Sequence, residues 1–373
     1  MPSIKKLQIS TFRNLSQESL APAPGLNLIA GENGSGKSSI LEAIYYAGLG
    51  RSFRNTHNTP IIQHEHDSCS VYCELDTGIK LGIGKSHDQG LQIKVQGEKA
   101  QSTGELAKHL PLQLLNAEAY KLLEGGPKAR RQFIDWGVFH VEHQFYTHWR
   151  EFSHCLQSRN ALLKKNASAA ELEPWTRELV RYSQEIDENR KNYVGQFIPY
   201  LETILESLIT VEGLTFRYYR GWKEEESLEE VLLHNLDKDL SHGYTSAGPQ
   251  RADLKIKIGP QYASNILSRG QQKLIVSAMK LAQGAYLAIE ASNLCLFLID
   301  DLPAELDRAN RVKICTLLRQ LGGQAFVTGT EQDVLLETFS NSGFDPEECK
   351  LFHVKHGRIE SLDSALMAPP KSS

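Results

Sequence analysis

The chain has 373 residues, with 40% apolar and 23% charged side chains, which is the composition of an ordinary soluble protein with room for two domains and a sizeable core. Its net charge of −4 gives no bulk basic field, so any contact with nucleic acid must come from a local cationic patch. No apolar run reaches the roughly 18 residues that span a bilayer, the start lacks a signal-peptide core, and the six cysteines are scattered, so a cytoplasmic protein with reduced thiols and no membrane partner is expected.

Residues 6–12 alternate as a strand does, and Leu26-Asn27-Leu28-Ile29-Ala30 reads as a short buried strand. It runs into Gly31-Glu32-Asn33-Gly34-Ser35-Gly36-Lys37-Ser38-Ser39, which obeys the phosphate-loop rule Gly-x4-Gly-Lys-Ser. Glycines let the backbone curl so that successive N–H groups point at phosphate oxygens. Ile40, Leu41, Ile44 and Tyr45 mark one face of the helix expected over 38–49, whose positive end adds to the anion site. Lys37 is expected to reach the β- and γ-phosphates of ATP, and the Ser38 hydroxyl to ligate Mg2+.

Strands follow near 69–75, 79–84 and 91–95, broken by Gly78, Gly84 and Gly90. Cys69, Val71 and Cys73 alternate onto one apolar face; with His64 and His66 they fit none of the common zinc spacings, and the strand reading is preferred. The middle of the chain turns helical. Val138, Val141, Phe145, Trp149, Phe152 and Leu156 recur every three or four residues, as do Trp175, Leu179, Tyr182 and Ile186, with Tyr193 and Phe197 beyond. The small, polar stretch 164–170 between them predicts an antiparallel helical hairpin.

Strand and helix character returns after about residue 250: 254–258 alternates, 271–291 is a long helix, and 294–299 is an apolar strand ending in Asp300 and Asp301. A central strand that delivers a carboxylate beside a phosphate loop is the magnesium-holding element of such folds. Asp300 is therefore expected to hold Mg2+, and Asp301 to orient or deprotonate the attacking water. A helix over 312–321, a strand over 325–328 and a disordered tail at 367–373 complete the pattern. Ser268, Gly270 and Gln271 open the long helix, where a serine and a glycine are expected to form a second anion site; the plainer reading is an ordinary helix cap.

Three basic clusters are candidate DNA contacts. They are Arg51 and Arg54 after the first helix, Lys128, Arg130 and Arg131 at the root of the hairpin, and Arg217 and Arg220 interleaved with Tyr218, Tyr219 and Trp222. Each competes with the plainer reading of solvated charge, and the last with that of a strand with one wet face.

The stretch Leu267-Ser268-Arg269-Gly270-Gln271-Gln272-Lys273 resembles the signature sequence of the ABC ATPase superfamily, and Leu302-Pro303-Ala304-Glu305-Leu306-Asp307 resembles its D-loop. Thr328 stands in the switch strand where transporters carry histidine. Within the superfamily, the runs 9–14, 50–54, 123–135 and 248–253 are similar to the RecF family, in the SMC-like branch. The resemblance implies an α/β phosphate-loop ATPase head of ABC type, assembled from both chain ends (1–115 and 246–366), with a helical-hairpin arm inserted at 116–245. It also implies an ATP-dependent homodimer with slow, DNA-stimulated hydrolysis of ATP and Mg2+ as cofactor. The implied role is at DNA gaps and stalled forks, in repair, recombination, replication and the SOS response. The implied partners are duplex DNA and single/double-strand junctions, RecR, and RecO in the same pathway, leading to recombinase loading. The nucleotide motifs alone are shared with transporter ATPase subunits, and the phosphate loop alone with small-molecule kinases.

Overall fold

In the computed structural model, which describes residues 3–54 and 61–362, the strand Leu26–Ala30 lies inside a six-stranded sheet. Its order is Arg358–Leu362, Cys349–Lys355, Leu26–Ala30, Ala325–Gly329, Leu296–Ile299, Leu112–Leu115, and every neighbouring pair is parallel except the hairpin at the first edge. Parallel strands covered on both faces need continuous apolar sequence. The three central strands meet that need, with all their residues buried. Asn27 is the polar intruder in the first of them. Its amide is satisfied by accepting from Ala23 N at 2.8 Å and donating to Ala23 O at 3.0 Å. Parallel pairing also brings the C-terminal ends of the three strands to one edge, because Gly329 pairs with Ala30 and Ile299 with Val327.

A second, antiparallel sheet runs Leu15–Leu20, Ile4–Phe12, Ser68–Leu75, Lys80–Ser86, Gly90–Val95, Glu98–Lys99. Cys69, Val71 and Cys73 point into the core, as their alternation requires. The helix Lys37–Leu49 touches strands of both sheets, and Ile40, Leu41 and Ile44 are fully buried in a core shared with Phe12, Leu298 and Phe326. Each such side chain contributes about 1.5–3 kcal/mol. Buried Gln324 ties the strands together by accepting from Ile4 N (2.7 Å) and donating to the carbonyls of Ile4 (3.0 Å) and Ala23 (2.7 Å).

These sheets form one unit, Met1–Ala119 with Ile204–Ile209 and Lys273–Ser373; the second unit is Tyr120–Thr203 with Thr210–Gln272. The tail expected at 367–373 lies outside the described residues. The second unit contains the helices Pro127–Val141 and Phe145–Leu163, most of Ala169–Leu208, and a three-stranded antiparallel sheet ordered Gln261–Tyr262, Asp253–Ile258, Leu214–Tyr219. That pairing is why the unit runs on to 272 instead of ending at 245: the strand of residues 253–258 has its partner at 214–219, a link that local pattern does not reveal. The stretch 204–209 is likewise drawn into the first unit. The first arm of the hairpin is broken at Glu142, in extended backbone, although the apolar spacing continues across the break. The turn between the arms closes with Asn166 at φ 52° and a capping box in which Ser168 and Glu171 bond reciprocally.

Buried arginine–aspartate pairs hold the second unit. Arg159, 1% exposed, reaches Asp239 at 2.9 Å, and Arg190 makes a two-pronged pair with Asp135 at 2.7 and 3.0 Å. Arg130 does the same with Asp253, at 2.7 and 3.1 Å, and donates a further bond to Gly125 O at 2.7 Å. This corrects the expectation of a DNA contact at Arg130, whose guanidinium is spent inside the protein. Arg131 donates to Ala252 O at 2.7 Å, while Lys128 stays exposed. Arg220 is corrected on the same grounds: it pairs with Asp187 at 3.0 Å and lies 3.9 Å over the ring of buried Trp222.

Arg130→Ala leaves Asp253 buried without its counter-charge and is expected to cost about 3–5 kcal/mol in urea unfolding. Removing Asp253 as well is expected to cost less than the sum of the two single changes. Strict additivity would mean that the pair does not act as a unit.

Candidate active site

The phosphate loop leaves the buried strand at Gly31, where an added Cβ would lie 2.4 Å from Val354 O, and enters the helix at Gly36 with φ 123°, a conformation open to glycine. Lys37 Nζ turns back over the loop and donates to the carbonyls of Gly31 (2.7 Å) and Glu32 (2.9 Å). The loop is braced by Asn14, whose Nδ2 donates to Ser35 O at 3.2 Å and whose Oδ1 accepts from Ser39 Oγ at 2.8 Å. Asn14 follows Arg13, which forms a buried two-pronged pair with Glu42 at 3.0 and 2.6 Å and so fixes the strand end to the loop helix. Glu32, Asn33 and Gly34 form the exposed loop tip.

Opposite the loop, Asp300 Oδ1 accepts from Ser38 Oγ at 2.8 Å and from Thr328 Oγ1 at 2.9 Å. Thr328 Oγ1 in turn accepts from Asp301 N at 2.7 Å. One fully buried hydroxyl therefore joins the two acids. Asp301 sits at φ 53°, ψ 50°, left-handed backbone that a non-glycine residue adopts only when its surroundings impose it. Burial lowers the pKa of Lys37, against the pull of Asp301 and Asp300. Burial raises that of Asp301, with the charge of Asp300 adding to the rise and Lys37 opposing it.

Lys37, Ser38, Asp300 and Asp301 line one cleft of about 500 Å³ at the start of the helix. The donor set suits a polyphosphate with a hard divalent cation: an ammonium, a helix N-terminus, a hydroxyl and a carboxylate. Among the described residues no group of three or more His, Cys, Asp or Glu side chains is placed to hold a metal ion by itself. A cation here would draw on Ser38, Asp300 and phosphate oxygens. Arg54 also lines this cleft, although the sequence assigned it to DNA; Arg51 is exposed. Ser268 belongs to the second unit, exposed at its helix start. Gln271 N donates to its Oγ at 3.3 Å, and Gln271 Oε1 accepts from Ser268 N at 3.0 Å. Sequence reading assigned no role to Asn14, and placed Thr328 only where transporters carry histidine, without a role. The signal for the first was its place in the family-like stretch 9–14; for the second, a polar residue in an otherwise apolar strand.

A phosphate loop and a carboxylate-tipped parallel strand on this sheet order define an ATPase head of the ABC type. Accordingly, the model of the RecF/RecN/SMC N terminal domain matches residues 3–350. The chain belongs to the RecF family. It is 42% identical over 365 residues to the DNA replication and repair protein RecF of Stutzerimonas stutzeri, covering 96% of this chain and 98% of that protein. It is 43% identical over 362 residues to the corresponding protein of Pseudomonas syringae pv. tomato, with the same coverage. Among solved structures, the recombination mediator protein RecF-ATPrS in the RecFOR pathway superposes with a TM-score of 0.84 at 28% identity, over 97% of this chain and 98% of that one. The Smc head domain of Pyrococcus furiosus, at 17% identity and a TM-score of 0.58 over 97% and 96%, shares the fold. Among the described residues no helix is long and apolar enough to cross a membrane.

Thr328→Val keeps the side-chain shape and deletes the hydroxyl that both acids use. It is expected to lower stability by about 1–3 kcal/mol in urea unfolding, with Thr328→Ser close to wild type. Equal stability of the valine and serine variants would show that the hydroxyl bridge contributes nothing.

Proposed function

We propose that this protein binds ATP, dimerises on it, hydrolyses it slowly, and uses the cycle to act on DNA in replication and recombinational repair. The observation that carries the reading is the meeting of Lys37, Ser38, Asp300 and Asp301 in one cleft at a helix N-terminus. The DNA role rests on family membership and on the names of the relatives.

In this reading Lys37 Nζ exchanges its two loop carbonyls for the β and γ oxygens of ATP, and the loop N–H groups hold the remaining phosphate charge. Ser38 and Asp300 would hold Mg2+, which would supply neutralisation of the phosphate charge. Asp301 orients a water and accepts its proton; the water oxygen bonds to the γ phosphorus, the bond from that phosphorus to the bridging oxygen breaks, and ADP and phosphate leave. Its raised pKa suits a base whose proton affinity must exceed that of an exposed carboxylate. Thr328 holds its backbone to Asp300 throughout.

Ser268, Gly270 and Gln271 of one chain complete the γ-phosphate site of a second chain, so ATP bridges two heads under twofold symmetry. The partners are DNA, at single/double-strand junctions or in duplex, and RecR, with RecO in the same pathway and recombinase loading as the outcome. A transporter ATPase or a small-molecule kinase would share the cleft, but hydrolysis by neither would respond to DNA. A DNA-stimulated ATPase assay therefore tests the reading, and hydrolysis indifferent to every DNA form would overturn it.

Two variants separate binding from turnover. Lys37→Ala is expected to weaken ATP binding by about 10–100-fold, the worth of charge-assisted bonds. Asp301→Asn is expected to retain binding and to lose about 10²–10⁴-fold in turnover; normal hydrolysis by it would remove Asp301 from the mechanism.

Ser268→Arg is expected to bind ATP as a monomer and to show neither dimer nor hydrolysis. Mixed with Lys37→Ala, it should regain activity through one composite site. Sedimentation with and without ATP is the direct measurement, and a Ser268→Arg protein that dimerises normally would exclude the shared site.

A further inference from the structure

The three-stranded sheet of the second unit has two unlike faces. The register pairs Arg217 with Lys255, Thr215 with Lys257, Lys257 with Tyr262, and Tyr219 with Asp253, so these side chains share one face. The opposite face carries Leu254 and Ile256, both buried. The sequence sets Arg217 beside Arg220, but the register groups it with Lys255 and Lys257.

Three features make this face unusual. Asp253 is the only acidic residue on the three strands, and Arg130 holds both of its oxygens. Arg217, Lys255 and Lys257 form no ion pair with any described residue, so three cations lie together on one sheet face with no carboxylate free to neutralise them. The two lysines lie over tyrosine rings, Lys255 Nζ at 4.1 Å from the centroid of Tyr219 and Lys257 Nζ at 5.4 Å from that of Tyr262, which orders their stems without neutralising their charge. Together they line a hollow of about 550 Å³ with Gly213 and Gly259 at its end.

We infer that this face is a docking surface for the sugar-phosphate backbone of duplex DNA. The inference rests on the proposed DNA-binding role and specifies where it is carried. Charge complementarity selects a polyanion, because three unpaired cations are set on a rigid sheet and the one local acid is already bound. The position of the lysines selects the duplex over a single strand. The tyrosine faces that would stack unpaired bases are capped by ammonium groups, and what the surface presents is charge, matched to the dense phosphate array of a duplex.

The test uses the full-length protein with Arg217→Gln, Lys255→Gln and Lys257→Gln combined, which removes the charges and keeps most of the aliphatic stems. A second variant, Lys257→Glu, reverses one charge. Fluorescence anisotropy is measured against a labelled blunt duplex, the same sequence as a single strand, and across a salt series. Unchanged thermal melting and unchanged ATP hydrolysis without DNA establish that the variants are folded and that the head is intact. For the triple variant, duplex affinity is expected to fall about tenfold or more, and the slope of log affinity against log salt to flatten by up to about 0.9 for each cation removed. Lys257→Glu should weaken duplex binding in the same direction. Wild-type duplex affinity and slope in both variants would overturn the inference while leaving the DNA-binding role intact. A loss confined to the single strand would overturn it too, since the face would then be a single-strand site. Failure of the wild-type protein to bind DNA at all would remove the proposed role itself, and the inference with it.

Discussion

Asp300 is a half-buried carboxylate on which the site converges: two hydroxyls, Ser38 and Thr328, donate to the same oxygen, and the Lys37 ammonium shares its cleft. Each partner comes from a different central strand: Ser38 from the loop after Leu26–Ala30, Thr328 from within Ala325–Gly329, and Asp300 from the end of Leu296–Ile299. Only parallel pairing in register puts those three points at one edge. The buried apolar strands thus have a chemical consequence beyond stability. A slip of one strand by one residue would turn its side chains to the other face and break the cluster. The left-handed backbone at Asp301 belongs to the same constraint, because its N–H must reach Thr328 while its carboxyl enters the cleft.

The second unit is organised on a different principle. Its interior carries Arg–Asp pairs at Arg130, Arg159 and Arg190, each with an added bond to a carbonyl or a hydroxyl. Such pairs return little net stability against apolar packing, but they are intolerant of wrong partners. They fix which helix meets which segment, as when Arg190 joins Asp135 to the carbonyl of Pro249. Packing then follows: Gly137 is glycine because Tyr193 occupies the space a side chain would need, an added Cβ falling 2.0 Å from its ring. The pair Arg130–Asp253 also consumes the one acid of the sheet, which leaves the charge of Lys255 and Lys257 uncompensated.

What the sequence made legible was whatever is local. The phosphate loop, the strand before it, the helix after it and the acid-tipped strand are each set by a spacing of a few residues, and each is found where it was read. The four-residue strand Leu112–Leu115 escaped, because a short apolar run has no period to distinguish it. Within the basic clusters, Arg130 was misread for a deeper reason. Arg130 and Lys128 look alike in sequence, and what separates them is Asp253, more than a hundred residues away. Residue type gives the charge of a side chain but not its partner. The same limit concealed the grouping of Arg217 with Lys255, which depends on strand register alone.

The helix start at Ser268 is a cap in this structure and, in the proposed function, also a binding element. As it stands, Ser268 and Gln271 satisfy one another's backbone N–H groups, which occupies two of the donors at this helix end. A phosphate that drew on the Ser268 or Gln271 N–H groups would have to displace the cap, at a cost of about 1 kcal/mol. A single exposed helix end gains little more than that from an anion. In the proposed dimer the balance changes, because the same phosphate is held from the other side by the partner's phosphate loop and the cleft is closed to water. On the proposed dimer the cap would act as a threshold, discouraging phosphate at the isolated helix start and giving way when a loaded second head supplied the rest of the site. Coupling between nucleotide and assembly would follow, on that proposal, from the difference in affinity between open and closed forms, with no larger rearrangement of the helix required.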